Sequence, residues 1–568
     1  MSEITLEDVV TVENSAEVTA FRQRIDYDMK LWYLEQYVMK DKNNEPLPHV
    51  VNVTVNEPAT YADRCVALLG GAKRKLAIGG LESDDEKEVE GYYRQVFKNC
   101  DELLSIQMIE DLKFALDWYS CIEGWINNRI LVMRDGDVEV VEIMPFSSRW
   151  TAWQVDRRGL LWSSDRFRMD QEAAEETYQY KLGGKLKKVD IVEIWTRDYL
   201  KAYLNNKEAG KWLHNFGKPP KIILPVRTKP NTIDAVSTSR GFSSQGESIY
   251  RANRELYNKA SEMASIWATM NKMQFMAPLQ YISPQGRKLG QRPYGFGIVV
   301  NLKQNEKLLE IPVKEMTASG QNLFGQYMGW LQRGGLTHVE YGELSFELSA
   351  VAISRLSEAK DQIFKPRLNT ESMFEERACK MIRQQHLAGG YPVKLDDDTK
   401  ELAVKAPASI KKIFSVTVEF HAVYPEQNIA NLTVAQAAQN FVSIETILDQ
   451  YLHVDNPADE LARLNLQKLY KGVPELFLMD TALDLAPVKK MNTKARDAMR
   501  SNLIRWKLQK LTGGQVQMDQ LNIPQETSQP RIRGLETAMP RTPAVHANKE
   551  NLRRSNIRAK EEGFEANE

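Results

Sequence analysis

Apolar residues recur every three to four positions over residues 16–39, where Val18, Phe21, Ile25, Met29 and Trp32 share a stripe, and this period predicts a helix. Asn43, Asn44, Pro46 and Pro48 mark a loop after it. Two more helical blocks are predicted over 59–76 and 86–127, the second interrupted around 103–109. Its acidic start, Asp84-Asp85-Glu86, lies where a helix N-terminus takes negative charge, which favours capping over metal binding. From Asn128 the period changes to two. Ile130, Val132 and Arg134 alternate up to Asp135-Gly136-Asp137, and Val138, Val140, Val141 and Ile143 continue, which predicts a hairpin. A second hairpin is predicted over 150–167 around Asp156-Arg157-Arg158-Gly159, and short strands at 189–196, 200–204 and 222–225. A β-rich module of roughly 100 residues between helical regions makes the class α+β.

Residues 246–276 place Ile249, Leu256, Met263 and Met270 seven apart, with Ala252, Ile266 and Met273 alongside, the pattern of a long amphipathic helix with a narrow apolar seam. Pro278 closes it. An insertion over 279–313, rich in Gly and Pro, carries a predicted strand at 297–302. A second helix follows Lys314 and runs to about Arg333, where Gly334-Gly335 breaks it. After a loop containing Thr337, His338, Glu340 and Tyr341, a third helix starts near Ser349, bends at Pro366 and ends at Gly389-Gly390.

At 568 residues the chain calls for two or more packed regions. No run of about 18 apolar residues could span a bilayer, since the most apolar long stretch, 266–282, contains Asn271, Lys272 and Gln274, so no membrane partner is expected. Glu3, Glu7 and Asp8 stand where a secretory signal needs basic and apolar residues, which points to the cytosol. Cys65, Cys100, Cys121 and Cys379 lie too far apart for a zinc spacing and read as small buried apolar residues. The 75 basic and 76 acidic residues leave a net charge of -1, without the basic excess of a protein that grips phosphates. Gly70-Gly71-Ala72-Lys73-Arg74 lacks the spacing and hydroxyl of a phosphate-cradling loop, and no Gly-x-Ser-x-Gly or His-Glu-x-x-His occurs. No catalytic residue, metal or cofactor is therefore expected. A magnesium-dependent nuclease remains an alternative, although no ligand spacing supports it.

The order helix, small insertion, helix, glycine-bounded loop and long helix (Ser349-Ala350-Val351-Ala352-Ile353-Ser354-Arg355-Leu356) resembles the portal proteins of tailed bacteriophages. So does Phe441-Val442-Ser443-Ile444-Glu445-Thr446-Ile447-Leu448, followed by Asp455-Asn456-Pro457-Ala458-Asp459-Glu460. The similarity extends over about residues 20–511. It implies a wing at 1–240, stem helices at 241–276 and 314–333, and a clip at 277–313. A tunnel loop would occupy 334–348, a long helix with strands returning to the wing 349–425, and crown helices 426–511. It further implies a homo-oligomeric ring, usually a dodecamer, which passes double-stranded DNA without sequence specificity and docks the terminase large subunit, a head-tail adaptor or tail protein, and the major capsid and scaffold proteins. Such a protein assembles in the host cytoplasm and resides in the virion at one capsid vertex.

Under that resemblance the residues nearest DNA are Thr337, His338, Glu340 and Tyr341, and Glu343, Glu347, Glu358 and Asp361 line the channel or form the solvated face of a helix. Arg287, Lys288, Arg292 and Tyr294 are the clip residues for partner contacts. The tail, 512–568, is poor in large apolar residues and reads as disordered. Its basic residues, Arg531, Arg533, Arg553 and Arg554 among them, would touch packaged DNA or simply be solvated. The rival function is another virion structural protein, a head-tail connector or minor capsid protein, which would not close a ring alone.

Overall fold

The structure, a computed structural model, describes residues 3–184, 187–228, 245–275, 279–288, 300–311, 318–336, 350–421, 442–448 and 457–472. The chain falls into two compact units, 1–461 and 462–568. The first is an α+β unit with layered helices and antiparallel sheets.

Helix α1 (Leu6–Glu13) starts on a capping box in which the Thr5 hydroxyl accepts from the Asp8 amide and the Asp8 carboxylate accepts from the Thr5 amide. Helix α2 (Ala16–Trp32) is capped by Ser15 and stops seven residues short of the predicted Met39, because Leu34 turns left-handed at φ 51°. The predicted helix 59–76 divides: α3 (Glu57–Gly70) ends at its glycines, and Lys73–Gly79 forms strand β1. Leu76 and Ile78 alternate into the core there, opposite Val418 and Val416. The predicted block 86–127 also divides. Helix α4 (Ser83–Ile106) carries Asp84, Asp85 and Glu86 in its first turn as expected, Met108 at φ 56° breaks the run, and α5 (Leu112–Ile122) follows. Gly124, at φ +74°, ends it three residues before the predicted 127.

Both hairpins form. Strands β2 (Trp125–Asp135) and β3 (Val138–Pro145) pair around Gly136, and β9 (Lys221–Pro225) and the short β12 (Tyr391–Pro392) join β2. Strands β4 (Thr151–Asp156), β5 (Gly159–Asp170), β6 (Lys188–Trp195), β7 (Tyr199–Leu204) and β8 (Lys207–Leu213) make a five-stranded antiparallel meander, with α6 (Gln171–Tyr178) inserted after β5. Within this sheet, β8 is the strand the sequence did not predict, since Lys207-Glu208-Ala209-Gly210-Lys211 carries no apolar alternation.

Helix α7 (Arg254–Phe275) is followed by β10 (Leu279–Ile282), β11 (Lys307–Glu310) and α8 (Ala318–Arg333). The predicted helix 246–276 thus begins eight residues late. Gly246 is left-handed and Ile249–Ala252 is a 3-10 turn that sends Ile249 and Tyr250 into the core beside Tyr61 and Leu69. Residues 300–302 carry no strand, and 297–299 lie outside the described residues; the two strands here are β10 and β11, which pair with each other. Helix α9 (Ala350–Leu387) runs unbroken through Pro366 and ends at Gly389 and Gly390, both left-handed. Helix α10 (Asp397–Glu401) and strand β13 (Ser415–His421) bring the chain back to β1.

The main core gathers α4, α5, α9, β1 and the β2 sheet around Tyr93, Phe97, Leu116, Ile130 and Phe374. A second core, with Tyr61, Tyr250, Tyr257, Leu331, Leu336 and Phe364, lies where α7, α8 and α9 enter the body. All four cysteines are buried free thiols. Farther on, Ser443 caps a single turn, Ile444–Thr446, and helix α11 (Pro457–Gly472) follows.

Candidate functional site at the root of the helix pair

Before α7 begins, the chain is clamped. The Arg24 guanidinium on α2 donates to the carbonyls of Gln245 (2.9 Å), Gly246 (2.9 Å) and Glu123 (3.3 Å), and Trp125 Nε1 donates to Gln245 as well. Gly124 and Gly246 make this possible: a Cβ on Gly124 would stand 2.0 Å from the Gly246 carbonyl oxygen. One turn along α2, Asp28 is buried and accepts from Arg254 Nε (2.6 Å), Arg254 Nη2 (2.8 Å) and the Ser248 hydroxyl (2.7 Å). Arg254 also meets Glu247 at 3.2 Å. Burial presses the Arg24 guanidinium below its ordinary pKa, with Glu247 and Asp28 opposing. Burial acts most strongly on Arg254 too, but its bonds to and charge pairing with Asp28 and Glu247 together outweigh it and hold Arg254 above the ordinary value. Both remain cations, and the first residue of α7 is fixed to α2 by a bidentate pair.

Along α7 the buried line is made of hydroxyls. Thr269, Ser265 and Ser261 accept the amides of Val51 (2.9 Å), Val53 (2.8 Å) and Val55 (3.3 Å). Two residues of extended chain advance about 6.6 Å and four residues of helix about 6 Å, so alternate amides meet successive hydroxyls. Ser265 and Thr269 donate in turn to carbonyls one turn back, at 2.7 Å each. On its other side the same segment uses Thr54 and Asn52 to accept the amides of Tyr37 (2.8 Å) and Met39 (2.9 Å). The arm 37–55 is therefore fastened to α7 through side chains. Leu256, Met263 and Met270, the predicted seam, are only half-buried.

Helix α8 packs on α7 through Phe324 against Trp267, edge to face at 5.6 Å. It contains no acidic residue. Its exposed face carries Gln321, Asn322, Gly325 and Gln326, and a Cβ on Gly325 or Gly329 would meet nothing within 4 Å. Leu323 and Trp330 flank that face, 39% and 42% exposed. At its end Gly334 lies so close to Asn253 that a Cβ would stand 2.1 Å from Oδ1, while Asn253 Nδ2 donates to the Leu331 carbonyl at 2.7 Å. Leu336 is buried beyond it. A cleft of about 250 Å³ between α3 and α8 is lined by Tyr61, Tyr257, Met328, Leu331 and Leu336.

Of the residues singled out by sequence, Arg287 is exposed and pairs with Glu306 at 3.6 Å, and Lys288 is exposed. Glu358 and Asp361 lie on α9, where only the backbone is described. Thr337, His338, Glu340, Tyr341, Glu343, Glu347, Arg292, Tyr294, Arg531, Arg533, Arg553 and Arg554 lie outside the described residues. Arg24, Asp28, Glu247 and Arg254 escaped the sequence reading, because what joins Arg24 and Asp28 to the start of α7 spans more than 200 residues. The spacing of four in Ser261, Ser265 and Thr269 was the signal available for the ladder. Among the described residues no group of three or more His, Cys, Asp or Glu is placed to hold a metal ion. No helix among them is long and apolar enough to cross a membrane. No family model and no curated protein matches the chain.

Proposed function

We propose that the chain is a phage portal subunit, assembling into a ring, usually twelve-fold, at one capsid vertex. The observation that carries the reading is the helix pair α7 and α8, bearing the small β10–β11 hairpin between them and rooted by Arg24, Asp28 and Asn253 in an α+β body that α9 then crosses. The exposed face of α8 suits passing duplex DNA. Amides and glycines neither repel phosphates nor hold them, so few counterions are displaced. Leu323 and Trp330 beside it give each copy an apolar flank for the next, and a ring needs two different faces per subunit. In this role the body is the wing, the hairpin region the clip for adaptor or tail protein and terminase large subunit, and the loop after Leu336 the part that meets DNA. Capsid and scaffold proteins are its other partners, and the energy for packaging comes from the terminase.

Native mass spectrometry with negative-stain class averages tests this. The expected result is closed rings with a central hole, lost or weakened in Trp330→Glu. A monomer that stays monomeric with scaffold present, or one that cuts DNA with magnesium, overturns it.

A further inference from the structure

Where α9 crosses α5, the interior holds three carboxylates. The Asp117 and Glu371 side chains are fully buried and that of Glu375 is 4% exposed. Lys113, one turn before Asp117 on α5, pairs with Asp117 and with Glu371, the latter at 2.9 Å. Its ammonium also donates to the Leu69 carbonyl at 3.3 Å and stands 5.2 Å from the Phe420 ring centre. Arg74 on β1 takes Glu375 at 3.3 Å. A single lysine therefore serves two acids fixed on two helices.

Each acid keeps one buried oxygen with no donor among the described residues: Asp117 Oδ2, Glu371 Oε1 and Glu375 Oε2. Both carboxylates sit on the one Lys113 ammonium, which holds them side by side. Two buried acids on a single cation bond to each other only when one of them carries the hydrogen, since like charges this close oppose each other's ionisation. Next to the pair lie Glu375, itself paired with Arg74, and the Cys121 thiol, which has Arg367 on its other side. Arg367 donates from Nη1 to the Ile363 carbonyl at 2.8 Å.

We propose that Asp117 and Glu371 share one proton, and that this proton latches α9 to α5, the crossing loosening when it leaves. Burial first, then the charge of Glu371, holds the Asp117 carboxyl well above the ordinary carboxylate range. The sign follows. A raised folded-state pKa contributes stability that is complete at acid pH and is lost as pH climbs toward the folded value. Opening the crossing lets Asp117 ionise as in water, so each opening releases one proton and the opening constant rises about tenfold per pH unit.

Hydrogen exchange of the full-length chain between pH 5.5 and 8.5, corrected for the intrinsic amide rate, reads that slope in α5 and in residues 364–382. Glu375, raised to about 7 mainly by burial, adds its own slope at the lower end, so the comparison is between variants. Asp117→Asn is expected to lower the slope by about one proton. Glu371→Gln is expected to do the same, because Asp117 then has Lys113 to itself and ionises in the folded state; it decides the matter if Asp117→Asn fails to fold. Equal slopes in the wild type and the variant, or a wild type without slope, overturn the proposal. The outcome is independent of whether the chain forms rings.

Discussion

Ser265→Ala removes the middle rung of the ladder between α7 and the arm. The Ser265 hydroxyl accepts the Val53 amide at 2.8 Å, lies 3.3 Å from the Val53 carbonyl and donates to the Ser261 carbonyl at 2.7 Å. Without it the Val53 amide faces a methyl group inside a helix contact. A half-buried donor left unsatisfied costs about 1–3 kcal/mol. Alanine returns a few tenths of a kcal/mol in helix propensity. The net expectation is a local loss of about 1–2 kcal/mol, which raises exchange of the amides of residues 51–55 by roughly five- to thirtyfold. Amides around Phe97 and Phe374, in the other core, should not change. Gln274→Ala, on the exposed end of the same helix, serves as control. If exchange over 51–55 is the same in Ser265→Ala and the wild type, the hydroxyls do not hold the arm and the account of the ladder is wrong.

Asp28→Asn leaves Arg254 without its buried counter-charge and should cost about 3 kcal/mol in urea unfolding; a loss below about 1 kcal/mol would mean that Glu247 suffices alone. Glu123 is buried and lifted to about 7 by that burial, against bonds from Ser147 and Ser148. Its stability contribution is complete below about 4.5 and lost as pH rises through about 7. Glu123→Gln should therefore shrink the fall in stability between pH 5 and 8 by roughly 3 kcal/mol, and identical falls in the two proteins would refute the assignment. Gly334→Ala drives a methyl group into Asn253, which its bond to Leu331 keeps from swinging aside, and should lower stability by about 2 kcal/mol in thermal unfolding; an unchanged melting point would show that Asn253 yields.

What the sequence tells depends on how local the cause is. The hairpins at Gly136 and Gly159 are legible because alternation and turn residues lie within twenty positions of each other. Strand β1 is not: seven residues beginning Lys-Arg-Lys continue a helical pattern acceptably, and only pairing with β13, some 340 residues later, makes them extended. The late start of α7 has a similar origin. Ile249 continues the heptad spacing, yet the clamp on Gln245 and Gly246 turns it and Tyr250 into the core first. Arg24 and Asp28, four apart on a helix, read as a surface pair, and their long-range partners alone reveal them as the fastening of α7. Balanced composition hid the uneven distribution of charge as well, for α8 lacks acids altogether. The tunnel-loop candidates fall at 337–341, beyond Leu336, so the structure speaks of their anchor and not of them.

Pro366 gives α9 a mechanical property. A proline has no amide to offer the Gln362 carbonyl, so the helix lacks one tie at that level, while Phe364 and Leu368 on either side are gripped by the core. A rod with one weakened section beside its mounting bends there and nowhere else. Load applied to the first turns of α9 is thus delivered to the body as a tilt about a fixed fulcrum. The stretch beyond the fulcrum, with Phe374, Ala378 and Ile382 packed in the main core, is the part held against that tilt.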